Sequence, residues 1–280
     1  MRGITCWLIL LSCGAPAACR ARAGPPAVSR AEPALGGVFS VAAWGGDSDS
    51  VAHAVGRALA AMRHADSASQ ARGGTPAGLM RDVVRRTGLR LPDDRAARGQ
   101  ALDRALLALR PGVDSAILGL GGQYLIMASG ERAVGIADPD NSLRSLATVT
   151  LPAGIWGIST VSPVEQIDPV VDPRTGKAAQ GVRAVSVLAP VAAAAGAWSM
   201  AFYVLGCDSA LVLALQAGVG TVCADSRVRW SRDLDGRVTV VTDSAGRVES
   251  GPGPGRGRAR AGAAAGSGSR APAATSDSSR

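Results

Sequence analysis

Apolar residues recur at helical spacing through the first half of the chain, and the pattern changes to strand spacing near Ser115. Residues 38–44 predict a strand that leads into a helix, with Asp47, Ser48, Asp49 and Ser50 all offering N-caps. On that helix Val51, Val55, Ala58, Leu59 and Met62 share one face. His53 and His64, the only histidines of the chain, fall on the opposite, solvent-facing side, so no buried imidazole base is expected. A second helix over 75–87 stops at Gly88. A third over 95–109 stops at Pro111-Gly112, with Ala101, Leu102, Ala105, Leu106 and Leu109 as its buried stripe.

Beyond Ser115 the segments 116–120, 124–128, 133–136, 146–151 and 154–160 read as strands, with Gly121-Gly122 and Ser129-Gly130 as turns between them. A strand at 182–188 leads to a helix over 191–205 that ends at Gly206, and another helix follows over 208–216. Strands at 221–224, 228–232 and 238–242 complete the pattern, and Asp235-Gly236 between the last two predicts a hairpin. The order predicts an α+β fold, a single domain of mostly antiparallel sheet with packed helices.

The two ends differ in composition from this domain. Arg2, the apolar stretch 4–13 and the small residues 14–18 have the order of a secretion signal, too short for a permanent membrane span. Ala21-Arg22-Ala23 has the form of a signal peptidase site, while Cys13 or Cys19 offers a lipid anchor as the alternative. Residues 1–23 are therefore read as a signal peptide and 24–250 as the domain. The Gly, Ala, Ser, Pro and Arg stretch 251–280 is read as a disordered tail. The expected location is outside the cytoplasm, periplasmic or in the cell envelope.

Charge changes little in that picture. The formal net charge is +8, but Arg2, Arg20 and Arg22 lie in the signal and Arg256, Arg258, Arg260, Arg270 and Arg280 in the tail. The domain itself is nearly neutral, which argues against a nucleic-acid partner. Only Cys207 and Cys223 remain in the mature domain, either as a disulfide, which export permits, or as two buried thiols.

Four segments, in order, carry a resemblance. They are Arg98-Gly99-Gln100-Ala101-Leu102-Asp103, the strand and Gly-Gly turn of 113–122, Val134-Gly135-Ile136-Ala137-Asp138-Pro139, and Asp172-Pro173-Arg174-Thr175-Gly176. Together with the helix 195–206 they resemble the ApbE family, the FAD:protein FMN transferases. The resemblance implies an enzyme that takes FAD as substrate, uses Mg²⁺, and attaches FMN to a Thr or Ser of a target flavoprotein at the membrane. In such chemistry a hard cation held by oxygen ligands neutralises the charge that develops on phosphate.

Carried over residue by residue, the resemblance places Asp94, Arg98, Val170, Asp172, Arg174 and Thr175 at the flavin nucleotide. It leaves Ser199 as a weak metal ligand, with Asp93, Asp94 and Asp168 as substitutes near by. No catalytic residue is assigned. Gly196 stands where the family has its metal-binding Asp and Met200 where it has its metal-binding Thr. No His precedes Asp172, and the family's flavin-holding segment is missing after Gly88. Two readings follow: a flavin transferase, or a non-catalytic flavin-binding or envelope interaction module of the same fold.

Overall fold

A computed structural model of the chain describes residues 27–71, 77–163, 169–241 and 251–252. The signal 1–23, Asp168 and nearly all of the tail lie outside the described residues. The first described elements are β1 (Ala27–Ala34), β2 (Gly37–Trp44), α1 (Ser48–Ala71), α2 (Ala77–Thr87) and α3 (Asp94–Leu109). Local chemistry sets their ends. Asp47 caps α1 by accepting Ser50 N at 3.0 Å. Gly88 closes α2 at φ +72°, its N–H reaching Val84 O at 2.8 Å.

Seven strands follow: β3 (Ser115–Leu120), β4 (Gln123–Ala128), β5 (Arg132–Asp138), β6 (Asn141–Leu151), β7 (Gly154–Val161), β8 (Val171–Asp172) and β9 (Lys177–Ala178). Then come β10 (Ala184–Ala189), α4 (Ala192–Leu205), α5 (Cys207–Ala217), β11 (Gly220–Ala224), β12 (Val228–Trp230), β13 (Val238–Val240) and β14 (Gly251–Pro252). A nine-stranded sheet has the order β1-β2-β3-β4-β7-β10-β11-β12-β14, antiparallel except for the last pair. β13-β6-β5 form a second, three-stranded sheet.

Three layers result. On one face of the large sheet α1 and α3 cover β1 to β4 through Phe39, Val55, Met62, Leu102, Leu109 and Leu118. On the same face α2, α4 and α5 cover β7, β10 and β11 through Val83, Val187, Trp198 and Phe202. The small sheet covers the other face, where Ile126, Ile158, Leu188 and Val222 meet Ile136, Ala147, Val149 and Leu151. A strand enclosed by both layers must be apolar on both sides. β10 is so apart from Ser186, whose buried hydroxyl bonds Thr160 Oγ1 at 2.8 Å: Val185, Val187 and Ala189 join the helical side, and Ala184 and Leu188 the small sheet.

Two features depart from the sequence pattern. β1 is an extra strand, unheralded because Arg30, Glu32 and Pro33 interrupt its apolar residues. It pairs only with β2, and an edge strand tolerates such residues. Asp235-Gly236 does not make a hairpin. β12 pairs with β11, whereas β13 pairs with β6 in the other sheet. Between them Leu234 is buried between the layers, and Asp235 accepts Trp230 Nε1 at 3.0 Å. This holds the turn in a sheet-crossing path, with Gly236 at φ +76°.

Cys207 and Cys223 are joined in a disulfide, their Cα atoms 5.6 Å apart, which fastens the start of α5 to β11. No helix among the described residues is long and apolar enough to cross a membrane.

Candidate functional site

The helix that carries Gly196, Ser199 and Met200, α4, begins Ala-Ala-Ala-Ala-Gly and presents little side chain to its neighbours at that end. Its backbone therefore approaches them closely. A Cβ placed on Gly157 of β7 would lie 2.5 Å from Ala192 Cα, and one on Gly99 of α3 would lie 2.5 Å from Ala192 C. A Cβ on Gly196 would overlap Arg95 O and lie 2.5 Å from Gln123 Nε2 and 2.8 Å from Arg95 C. Arg95 thus faces Gly196 while Gly99 faces Ala192, so α3 and α4 run antiparallel with glycine at both contact points.

Val191, which precedes α4, has no side chain able to cap it. Asp103 of α3 supplies the cap from across the interface. Its two carboxylate oxygens accept Ala192 N at 2.8 Å and Ala193 N at 3.0 Å. Burial raises the carboxyl pKa above its ordinary value, and the two N–H donors oppose that rise in part.

One turn further along, four polar side chains meet inside the protein. Arg95 is only 2% exposed, and Gln123, Ser159 and Ser199 are fully buried. Arg95 Nη1 donates to Ser159 Oγ at 3.1 Å and to Thr160 O at 2.7 Å. Gln123 Nε2 donates to Arg95 O at 2.9 Å and to Ser159 Oγ at 3.3 Å. Because Ser159 Oγ already accepts twice, it must be the donor in its 2.8 Å bond to Ser199 Oγ. Ser199 Oγ then donates to Gly196 O at 3.0 Å. The direction of the whole chain, from guanidinium to helix carbonyl, is fixed.

The residues expected at the nucleotide fall into two groups elsewhere. Asp94 pairs with Arg98 at 3.6 Å across one turn of α3. Arg98 lies over the Gly121-Gly122 turn, where a Cβ on Gly121 (φ +54°) would be 3.3 Å from its Nη1. The β8–β9 turn holds the rest. Asp172 accepts Arg174 N at 2.8 Å and pairs with the Arg174 guanidinium through both oxygens. That side-chain pairing comes first, and the backbone N–H second, in holding the Asp172 carboxyl below the usual carboxylate range.

Thr175 Oγ1 accepts Lys177 N at 3.2 Å, and Val170 O accepts Ala179 N at 2.8 Å. Asp93 precedes α3 without making a side-chain cap. Among the described residues no hydrogen bond or ion pair joins the Asp94–Arg98 pair, the Asp172 turn and Ser199 to one another.

A divalent ion does not fit the residues present at the family's metal positions. Mg²⁺ requires a near-octahedral shell of oxygens. Gly196 has no room for a side chain, Met200 offers a thioether, and Ser199 Oγ is already engaged at both ends. Gln123 Oε1 is buried without a hydrogen-bond partner among the described residues, but one amide oxygen is not a coordination shell. No group of three or more His, Cys, Asp or Glu suited to a metal occurs among the described residues.

Arg95, Gln123, Ser159 and the capping role of Asp103 were not evident from the sequence. The one signal was that Arg95 continues the apolar stripe of α3 through Gly99, Leu102, Leu106 and Leu109. A charged residue on a buried stripe implies a polar partner inside.

A three-layer α+β domain, with a two-glycine helix contact and a buried polar cluster, defines the architecture. Residues 34–222 match the ApbE family, and the chain belongs to it. Solved structures share the fold. An ApbE protein from Thermotoga maritima is 15% identical, with 75% of this chain and 98% of that one covered and a TM-score of 0.57. The flavin transferase ApbE from Vibrio cholerae is 14% identical, with 76% and 99% covered and a TM-score of 0.56. The flavinyl transferase ApbE from Pseudomonas stutzeri, in its apo form, is 15% identical, with 76% and 96% covered and a TM-score of 0.56. No curated protein sequence matches the chain.

Proposed function

We propose that this member of the ApbE family takes FAD as its ligand, in the manner of the flavin transferases it resembles, and does not carry out Mg²⁺-dependent FMN transfer. One observation carries the second half of the reading: the position of the family's metal-binding Asp is Gly196, where even a methyl group would strike the backbone of α3. Without a hard cation near the phosphates, cleavage of a pyrophosphate loses its main source of charge stabilisation. The first half is supported by Arg98 over its glycine turn and by the Asp172–Arg174 turn, both kept in ordered form.

The alternative is full transferase activity, in which a Thr or Ser hydroxyl of a target flavoprotein attacks FAD, FMN is joined to it as a phosphoester, and AMP leaves. The retained motifs and the Asp103 cap of α4 favour that reading. A location outside the cytoplasm, in the periplasm or envelope with its partner at the membrane, is supported by the leader pattern and by the Cys207–Cys223 disulfide.

The test is to mix the mature chain with FAD, with and without Mg²⁺, beside a threonine-bearing acceptor domain. FAD that co-elutes in gel filtration with no AMP released is the expected result. AMP together with a flavin-labelled acceptor establishes the transferase reading instead.

A further inference from the structure

We propose that Arg229 is the positioning residue for the Cys207–Cys223 disulfide, holding the two thiols side by side in the reduced, folded chain so that closure follows folding. This goes beyond the flavin reading and does not depend on it. The cysteines lie on separate elements, Cys207 at the first position of α5 and Cys223 in β11, 16 positions apart.

Arg229 of β12 is the register partner of Cys223 across the β11–β12 pair. Its Nη1 donates to Asp208, the residue after Cys207, and its Nη2 to Asp225, two residues after Cys223. One guanidinium thus grips the flank of each cysteine, from a side chain that is only 7% exposed. The start of α5 has little else to fix it. α4 passes into α5 through Gly206 alone, at φ +85°, and no side chain caps the new helix. Beyond Cys207 itself, the buried residues of α5 are Ala210, Leu211 and Ala214, which begin one turn further along.

Two thiols on unfastened elements meet at a low effective concentration, and fixing the elements raises it. An arginine fork holds two carboxylates in a set geometry and keeps its charge, so the grip exists before oxidation and is independent of it. Closure forms the Sγ–Sγ bond and passes two electrons and two protons to a disulfide oxidant, which departs as two thiols. Arg229 takes no part in that exchange; it sets where the sulfurs stand.

The experiment equilibrates the mature chain with mixtures of reduced and oxidised glutathione, approached from both the reduced and the oxidised protein. Thiols are counted by alkylation and mass spectrometry, which yields the effective concentration of the cysteine pair. Arg229→Gln is expected to lower it at least tenfold, and Arg229→Lys, which keeps the charge without the fork, by less. Arg183→Gln, which breaks the ion pairs to Asp138 and Asp140 elsewhere on the surface, should leave it unchanged. An Arg229→Gln value equal to wild type, or an equal fall in Arg183→Gln, overturns the proposal.

Thermal unfolding supplies the second measurement through a cycle of Arg229→Gln with Cys207→Ser and Cys223→Ser. Two fastenings of one joint stand in for each other, so Arg229→Gln should lower the midpoint more without the disulfide than with it. A residue that merely stabilises the fold gives additive losses, and additivity overturns the proposal. Should Arg229→Gln not fold, Asp208→Asn takes its place in both measurements with the same expected and overturning results, since its side chain is 81% exposed and its loss severs the grip on α5.

Discussion

Replacing Gly196 by alanine adds one methyl group at the tightest point between α3 and α4. Two of the three atoms it would meet, Arg95 O and Arg95 C, are backbone, so no rotamer change relieves the overlap and the helices must move apart. Overpacking of this kind costs about 1–3 kcal/mol. The displaced amide of Gln123 also loses its bond to Arg95 O, at about 1 kcal/mol. Alanine recovers about 1 kcal/mol of helix propensity over glycine.

The steric and hydrogen-bond losses win, leaving a net cost of about 2 kcal/mol, or roughly 4–8 °C in Tm for a domain of this size. Gly56, exposed in the middle of α1 with nothing within 4 Å of its Cβ position, serves as the control. Gly56→Ala should stabilise by up to about 1 kcal/mol. Urea and thermal unfolding of the two variants beside wild type measure both effects. A Gly196→Ala protein as stable as wild type would refute the close-contact reasoning.

The same contact governs attempts at rescue: Gly196→Asp with Met200→Thr should unfold earlier than wild type and release no AMP from FAD, as judged by nucleotide chromatography. In the β8–β9 turn Gly176 has φ +67°, so Gly176→Val should cost about 1–3 kcal/mol in thermal unfolding. Asp172 has its folded pKa lowered by Arg174, so its stabilising contribution is present above the ordinary carboxylate pKa and lost as pH falls through the folded one. Asp172→Asn should therefore flatten the acid limb of the stability–pH profile.

Asp103 has the opposite sign: its folded pKa is raised, so its contribution is full below the ordinary value and declines as pH rises through the folded one. Asp103→Asn should remove that decline, while Asp103→Ala, by leaving two α4 N–H groups uncapped, should cost about 1–2 kcal/mol in urea unfolding. Replacing both Cys207 and Cys223 by Ser opens a 16-residue link and should cost about 3 kcal/mol by the same measurement.

What the sequence disclosed follows from the range of the interactions. Helix ends at Asp47 and Gly88 are set within four residues, and both were legible. The buried stripe of α3 was too, because one face of a helix repeats within a short window. The hairpin expected at Asp235-Gly236 does not form, since an Asp-Gly turn specifies a local reversal and not which partner strand receives β13. The cap of α4 comes from a residue 89 positions earlier, so no window around Ala192 contains it.

At the site, Arg98, the Asp172 turn, Gly196 and Met200 were visible in the sequence through their resemblance to the family pattern. The partners of Ser199 were not, because Arg95, Gln123 and Ser159 are brought to it only by the packing of three separate elements.

The glycine contact also acts as a ratchet in sequence space. While helices α3 and α4 lie backbone to backbone, the single substitution that would return the family's aspartate is penalised by folding before any benefit in chemistry can appear. A path back has to begin at Arg95 and Gln123, by loosening contacts that stabilise the present protein. The order of substitutions is thus constrained by one pair of crowded atoms, the Gly196 Cβ position and Arg95 O.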